Sequence, residues 1–583
     1  MQEETRNLIL TVVLCSAVIF AYQYFVDRPQ TEAQRAQQAA QQAAQHQTQG
    51  QTAAPGSAQA PSPTAAPGAT NAAANSPATK PRAEVIAQSQ RVKFDTARLR
   101  GSISLTGGLL DDVSLVKYHE TVDPKSPDIT LLSPPGSAKS YYADFGWVAA
   151  AGTNATVPTQ DTVWHTDDAT MAPGRPVTLT WDNGAGLTFE KTYTIDDNYM
   201  LTVTQKVTNN TGSPVALAPY GLISRLGTPK TLGYAILHEG PVAVMDGSLQ
   251  EKNYKDLVKK GEIKMDSTGG WLGITDKYWL VALIPDQKAQ IAGRFSHSMS
   301  GGTDRYQADY LRSTVTVPAG QSTAITDRVF AGAKEVSVVD GYYDKLGIDR
   351  FDLVIDWGYF RFITRPLFFI LDYFFKLTGN FGIAILLLTV SVKIALFWFA
   401  NKQYEGMSRM RKLQPKMQEL RERFKDDKEK MQLETMNLYK QEKVNPLGGC
   451  WPLFIQMPIF FALYKVLFIT IEMRQAPFFG WIKDLSVPDP MYVTTLFGLI
   501  PWDPPSFLAI GIWPVLMGAT MFLSQKLNPQ MPDPVQARIF MLMPLFMVFI
   551  FARLPAGLVI YYTWNNILTV SQQWVIMKRQ GAI

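Results

Sequence analysis

A lysine set inside an apolar run is the residue in this chain best placed to act on something else. Phe381 to Ala400 reads FGIAILLLTVSVKIALFWFA, long enough to cross a bilayer as a helix, and Lys393 lies within it. A cation at that depth costs roughly 2.5–3.5 kcal/mol on insertion scales, so it points to function unless it snorkels. Snorkelling is open to it, because Ala400 is seven residues further on, about 10 Å of helix, and a lysine stem covers part of that distance. Thr389 stands one helical turn earlier on the same face. Gln456, Thr563 and Asn566 carry further polar groups in later apolar runs, and no acidic residue lies deep in any of those runs. A cation without a built-in counter-ion implies hydration, a wet pocket and a negatively charged visitor. That is the chemistry of attraction rather than of bond-making.

Other chemistry finds little support. The five histidines are scattered, and Cys15 and Cys450 are the only cysteines, so no zinc-ligand spacing appears. His119 with Glu120 and His238 with Glu239 are adjacent acid/base types, but neighbours in a strand point to opposite faces. Neither pair converges on one substrate by itself, and the region that carries them reads as a docking or scaffolding surface.

The elements that must position Lys393 follow from how apolar residues are distributed. They concentrate in one N-terminal run and in the last third of 583 residues, which is the pattern of a membrane protein with a large soluble part. A net charge of +5 over that length gives no reason to expect nucleic-acid readout. Leu8 to Val26 reads as an uncleaved anchor ending in aromatic residues (residues 1–27), because no small-residue cleavage site precedes Tyr22 and Tyr24. Residues 28–84 are rich in Ala, Gln, Pro, Thr and Ser and predict a disordered tether. Residues 85–347 alternate with period two between turn signals, as in Leu187–Ile195 and Tyr199–Leu217, and predict an antiparallel β-sandwich. It contains no cysteine and hence no internal disulfide.

Residues 348–378 mix Asp352, Asp356, Arg361, Arg365 and Asp372 with a run of aromatics, the pattern of an amphipathic helix lying in the membrane interface. The remainder, 379–583, holds five apolar runs, making six spans with the anchor. A charged stretch over 401–444 carries twelve cations against eight acids and is placed in the cytoplasm by the positive-inside rule. It reads as a helical hairpin whose methionines supply adaptable apolar patches. Parity then puts both termini inside and the β-sandwich outside.

Several long motifs carry a family resemblance: NPLGGCWPLFIQMPIFFALYKVL (Asn445–Leu467), QAPFFGWIKDLS (Gln475–Ser486), LPAGLVIYYTWNN (Leu554–Asn566) and LQPKMQELRERFKDDKEK (Leu413–Lys430). With the order anchor, tether, β-domain and core, the chain resembles the Gram-negative form of the YidC family of membrane protein insertases. The resemblance implies a polytopic α-helical protein with a large periplasmic β-sandwich, galactose-mutarotase-like in fold, in the bacterial inner membrane. It implies a hydrophilic groove open to the cytoplasm, with Lys393 as its basic residue and Thr389, Gln456, Tyr561, Tyr562 and Asn566 beside it. Substrate segments would slide along Pro452, Met457, Pro458 and Phe460 on the third span and Met543, Phe546 and Ile550 on the fifth. The hairpin, with Met410, Arg411, Met417, Arg421 and Met431, would receive nascent membrane proteins or their delivery machinery. The implied partners are the Sec translocon, the signal-recognition-particle receptor, the ribosome and membrane lipid. No cofactor, metal or bond chemistry is implied.

The sequence departs from the family pattern at Arg553, where an aromatic is common, and in a very short C-terminal tail, which weakens the ribosome expectation. A channel with a midplane lysine would be expected to show inverted internal repeats, and none is visible.

Overall fold

The computed structural model describes residues 80–231, 237–424, 427–442, 451–502, 504–505, 508–527 and 534–579. The expected anchor and nearly all of the expected tether lie outside the described residues. What is described belongs to one compact unit, Pro63–Ile583.

Period-two alternation does what it should in the first half. Two sheets, one of eleven strands and one of eight, form the β-domain. Pairing is antiparallel except where Thr170–Met171 runs parallel to Arg91–Asp95. In the eight-stranded sheet, Met200–Asn209 pairs along its length with Gln321–Ala333, and Leu187–Ile195 flanks it on the other side. In the larger sheet, Val215–Leu226 lies between Tyr141–Ala149 and Thr303–Arg312. Most inward positions on these strands are apolar: Leu187, Phe189, Tyr193 and Ile195, then Leu201, Val203 and Val207, with Gln205 and Asn209 the buried polar residues of the second strand. Burying each such apolar side chain stabilises the fold by about 1.5–3 kcal/mol. Lys191 falls on the same inward phase, which makes it a buried cation by register alone.

After the last strand, helix α1 (Val336–Leu346) packs back on the sandwich, where the Tyr342 hydroxyl donates to Asp196 at 2.6 Å. The expected interfacial helix is shorter than the pattern suggested. Phe351–Val354 is a single 3₁₀ turn, and the helix proper, α2, begins only at Arg361 and ends at Thr378. The interruption has a local cause. Gly358 adopts φ +69° and its N–H donates to the Asp356 carboxylate, closing a tight turn that a continuous helix would exclude.

The core is helical: α3 (Phe381–Ala395), α4 (Phe397–Arg423), α5 (Lys428–Gln441), α6 (Trp451–Ile469), α7 (Ile512–Leu527), α8 (Pro534–Phe551) and α9 (Ala556–Arg579). Asn380 caps α3 by accepting from the Ile383 N–H at 3.1 Å. Its first turn sits so close to Phe478 that a Cβ on Gly382 would overlap that ring. The run Phe381–Ala400, expected as one straight helix, bends by 68° at Leu396. No proline or glycine marks the break. Its effect is to place Lys393 two residues from the end of α3 and to turn Phe397, Trp398 and Phe399 outward. Among the described residues no single helix is both long and apolar enough to cross a membrane, although α3 and α4 together reach that length.

The described part of the charged stretch is helical, in α4, which already starts at Phe397, and in α5. The two helices meet where the Tyr439 hydroxyl donates to the Met417 sulfur at 3.4 Å and Lys416 pairs with Glu442 at 2.6 Å.

Candidate functional site

Helices α3, α4 and α9 converge on Lys393. Its Nζ donates to the Thr569 hydroxyl at 2.7 Å, and that hydroxyl donates on to the Asn565 carbonyl at 2.7 Å. The Tyr404 hydroxyl acts on the same Thr569. One turn up α3, Thr389 is buried, its hydroxyl returned to the Ile385 carbonyl. Thr389, Val392, Lys393, Leu396, Ala400, Gln403, Tyr404, Tyr561 and Asn565 enclose a pocket of about 40 Å³, enough for one or a few waters. No carboxylate acts on Lys393 among the described residues.

Helical spacing explains the α9 side. Tyr561, Asn565 and Thr569 recur every fourth residue, so they form one stripe facing the lysine. The sequence reading chose Thr389, Lys393 and Tyr561 on this face, and the structure brings those three together. Asn566, one residue on and about 100° round the helix, points elsewhere and donates to Thr520 on α7 at 3.3 Å. Tyr562 packs edge-on against Phe460 and Phe551, with ring centroids at 4.8 and 4.6 Å. Thr563 turns its hydroxyl to the Val559 carbonyl. Asn565, Thr569, Tyr404 and Gln403 were missed, although the fourfold spacing from Tyr561 was readable. Gln456 lies on α6, with its side chain outside the described residues, as do those of Pro452 and Met457.

The remaining apolar positions divide. Pro458 and Phe460 are half-buried on α6, Phe460 stacking on Tyr464. On α8, Phe546 and Ile550 are exposed, Phe546 at 63%, while Met543 is half-buried. Met541, Leu542, Leu545 and Phe549 are exposed along with them, so α8 presents a long unpartnered apolar surface. On α4 and α5, Met410, Arg411, Met417 and Met431 are half-buried, and the Arg411 guanidinium donates to the Leu527 carbonyl at the end of α7. On α5, Leu433 and Met436 are exposed apolar residues. The side chain of Arg421 lies outside the described residues.

The β-domain is fastened to the end of α6. Glu472 accepts from the Val336 N–H at 3.1 Å, and Arg474 and Gln475 both donate to the His119 carbonyl, at 2.6 and 3.0 Å. Lys465 pairs with Asp356 at 2.6 Å. The His119 ring meets Asp128 at 3.2 Å, a contact within the β-domain rather than a pairing with Glu120. His238 and Glu239 instead face one cavity, because the strand begins only at Gly240 and strand alternation does not apply to them.

Residues 91–370 match the family model described as YidC periplasmic domain, and residues 373–582 that described as 60Kd inner membrane protein. The chain is 51% identical to a protein from Bradyrhizobium diazoefficiens named Membrane protein insertase YidC, over 100% of this chain and 97% of that one. Among solved structures, an active YidC insertase with its first transmembrane domain resolved covers 83% of this chain and 92% of its own, at 18% identity and a TM-score of 0.35. A galactose mutarotase related enzyme from Lactobacillus acidophilus covers 41% of this chain and 97% of its own, at 11% identity and a TM-score of 0.28.

Proposed function

The chain belongs to the YidC family of membrane protein insertases, and on that premise we propose that it moves apolar segments and short polar tails of nascent proteins from the cytoplasm into the inner membrane. The observation that carries this reading is the setting of Lys393: a cation in an apolar helix whose described partner is a hydroxyl and not a carboxylate. Its charge is left to act on a passing acidic group. Polar groups from Thr389, Gln403, Tyr404, Tyr561 and Asn565 shorten the low-dielectric path that the tail must cross. The apolar substrate helix leaves along α6 and the exposed face of α8. Transfer of its surface out of water, worth about 25 cal/mol per Å², drives the step without a cofactor or bond chemistry.

In this reading α3 and α6–α9 are the five spans of the insertase core, and the anchor within residues 1–27 is a sixth. Both termini and the hairpin face the cytoplasm, with the β-domain in the periplasm. The hairpin receives nascent chains from the ribosome or the signal-recognition-particle receptor, its exposed Leu433 and Met436 offering apolar contact. The Sec translocon is a partner for larger clients.

The test uses cells depleted of the parent protein. Lys393→Ala should insert a single-span substrate with an acidic tail about tenfold less well, roughly the effect of one screened charge interaction. A neutral-tailed substrate should be little affected. Equal insertion of both would remove the charge from the mechanism.

A further inference from the structure

Residues 470–511 join α6 to α7 and divide into a pinned base and an exposed tip. The base is tied to its surroundings on several sides. Arg474 and Gln475 hold the His119 carbonyl of the β-domain. The Phe478 ring packs over Gly382 at the first turn of α3 and faces Trp513 with ring centroids at 6.3 Å. Asp489 is buried and uses both carboxylate oxygens. Its Oδ1 accepts from the Trp481 indole N–H at 2.9 Å and the Met491 N–H at 3.0 Å, and its Oδ2 from the Trp513 N–H at 2.9 Å. Beyond it the two ends of the loop run side by side. The Val493 N–H donates to the Ile510 carbonyl at 2.9 Å, and the Thr494 hydroxyl to the Leu508 carbonyl at 2.9 Å.

The tip has the opposite character. Leu496, Phe497, Leu499, Ile500 and Trp502 are exposed, Leu499 at 82%. Leu496 and Phe497 also sit at φ +46° and +63°, a region that bulky side chains avoid. Strain of this kind persists only where the surrounding structure imposes it. Here it accompanies two large apolar groups that no described residue covers. Across 490–525 the sequence holds a single charged residue, Asp503. A rigid, strained, uncharged tip in water gains nothing from its own apolar area; burying that area outside the chain offsets the strain.

Its neighbours indicate what buries it. The tip leads into α7, where Val515 and Leu516 are exposed. Phe478 ties the base to the first turn of α3, and there Phe381 stacks on Phe375 of α2 at 3.7 Å. Helix α2 exposes Phe369, Ile370, Tyr373 and Leu377. The match to an inner membrane protein supplies a lipid phase, and the match of 91–370 to a periplasmic domain marks this end of α6 as the outer one. Apolar side chains beside a tryptophan suit the boundary between headgroups and acyl chains. A docked protein calls for a polar rim around the apolar centre, and the described residues from Pro490 to Gly511 offer no charged group for one.

We propose that residues 493–502 dip into the outer leaflet of the membrane, with Leu496, Phe497 and Leu499 about 5–10 Å below the headgroup boundary. Trp502 lies at that boundary. With α2 at the same level, the core has two interfacial contacts in one leaflet, and they set the depth of α6 and α7. This inference rests on the reading of α7 as a span.

The full chain carrying Cys15→Ser and Cys450→Ser is labelled with an NBD fluorophore at Leu499→Cys, Val122→Cys or Leu516→Cys. Each is reconstituted in vesicles of dioleoyl phosphatidylethanolamine and phosphatidylglycerol. All three positions are exposed, so the fold tolerates the label. A lipid-borne nitroxide near the headgroup should quench position 499 severalfold more than position 122 of the β-domain, and iodide should quench it severalfold less. Iodide quenching at 499 equal to that at 122 overturns the proposal. So does protection from both quenchers, the result if a second copy of the chain or another protein covers the tip. The label at 516 separates the two readings. Lipid quenching at 516 without it at 499 leaves α7 as a span and removes only the tip from the membrane, whereas iodide quenching at both withdraws the two readings together.

Discussion

The β-domain matches its enclosed cations to carboxylates and so does α6, where buried Lys465 pairs with Asp356, but among the described residues α3 does not do so for the half-buried Lys393. In the β-domain, Arg91 meets Asp111, Arg98 meets Glu335, Lys191 meets Asp144, Arg225 meets Asp276 and Arg294 meets Asp309. Lys191 is fully enclosed, donating also to the Gly107 carbonyl at 3.2 Å and lying over the Trp164 ring. Even Lys334, hydrogen-bonded to the Thr275 hydroxyl, has Asp356, Asp276 and Glu239 acting on it. In the core, Lys393 has Thr569 and no such carboxylate among the described residues. A cation matched within the fold is spent on structure; one left unmatched remains available to a visitor.

Making the same substitution in both regions breaks or sharpens that contrast. Lys191→Met should cost the β-domain about 3–5 kcal/mol, since it strands the Asp144 carboxylate in the interior without a cation, held by the Tyr220 hydroxyl at 3.0 Å and the Phe145 N–H. Lys393→Met should leave stability within about 1 kcal/mol or raise it, because it removes a desolvated charge that no described carboxylate offsets. Urea unfolding of the purified chain, followed by tryptophan fluorescence, reads both. A large loss from the core variant would make Lys393 a structural residue.

The next effect concerns the seam between the regions. Burial pushes the Glu472 carboxyl up to about 7, and Glu335 and Asp372 act in the same direction against its hydrogen bonds. The docked state therefore holds a proton that the undocked state releases. Its stabilisation is complete below about pH 4.5 and is lost as pH rises through about 7, by up to about 3 kcal/mol. Amide exchange in α1 should accordingly be faster at pH 8 than at pH 5 after correction for intrinsic rates. Glu472→Gln should flatten that difference while keeping the acceptor for Val336. An unchanged pH dependence in the variant would assign it to another group.

The smallest effects lie around the lysine itself. Thr569→Val should cost about 1 kcal/mol of the hydrogen bond that orients the ammonium. Asn565→Ala should lower insertion of an acidic-tailed client a few-fold, on the scale of one polar contact, whereas Asn566→Ala should not. If the two asparagines behaved alike, the stripe of every fourth residue on α9 would have no functional meaning.

How much of this was legible depended on periodicity. Alternation in Leu187–Ile195 and Met200–Asn209 was enough for the sandwich, because a period of two fixes which face is buried. Lys393 stood out because charge inside an apolar run is rare. A one-residue ambiguity on α9 separated Asn565 from Asn566, since each step turns a helix about 100°. The bend at Leu396 left no mark, as apolar residues run straight through it. The Asp356–Gly358 turn did leave one, yet the aromatic pattern around it reads as unbroken helix. Contacts such as Glu472 with Val336 and Lys465 with Asp356 join positions more than a hundred residues apart, where spacing says nothing. For the same reason the cavity at the seam, built from the β-domain, α2 and α6 together, was invisible.

Charge reversal tests the central claim most directly. Two single-span clients differing only in tail charge, one acidic and one basic, are inserted by the parent and by Lys393→Glu in depleted cells. If an unmatched cation attracts the tail, the parent favours the acidic client and the variant inverts that order. The same order in both, with insertion merely weaker in the variant, would contradict the account and leave Lys393 with no role in choosing the visitor.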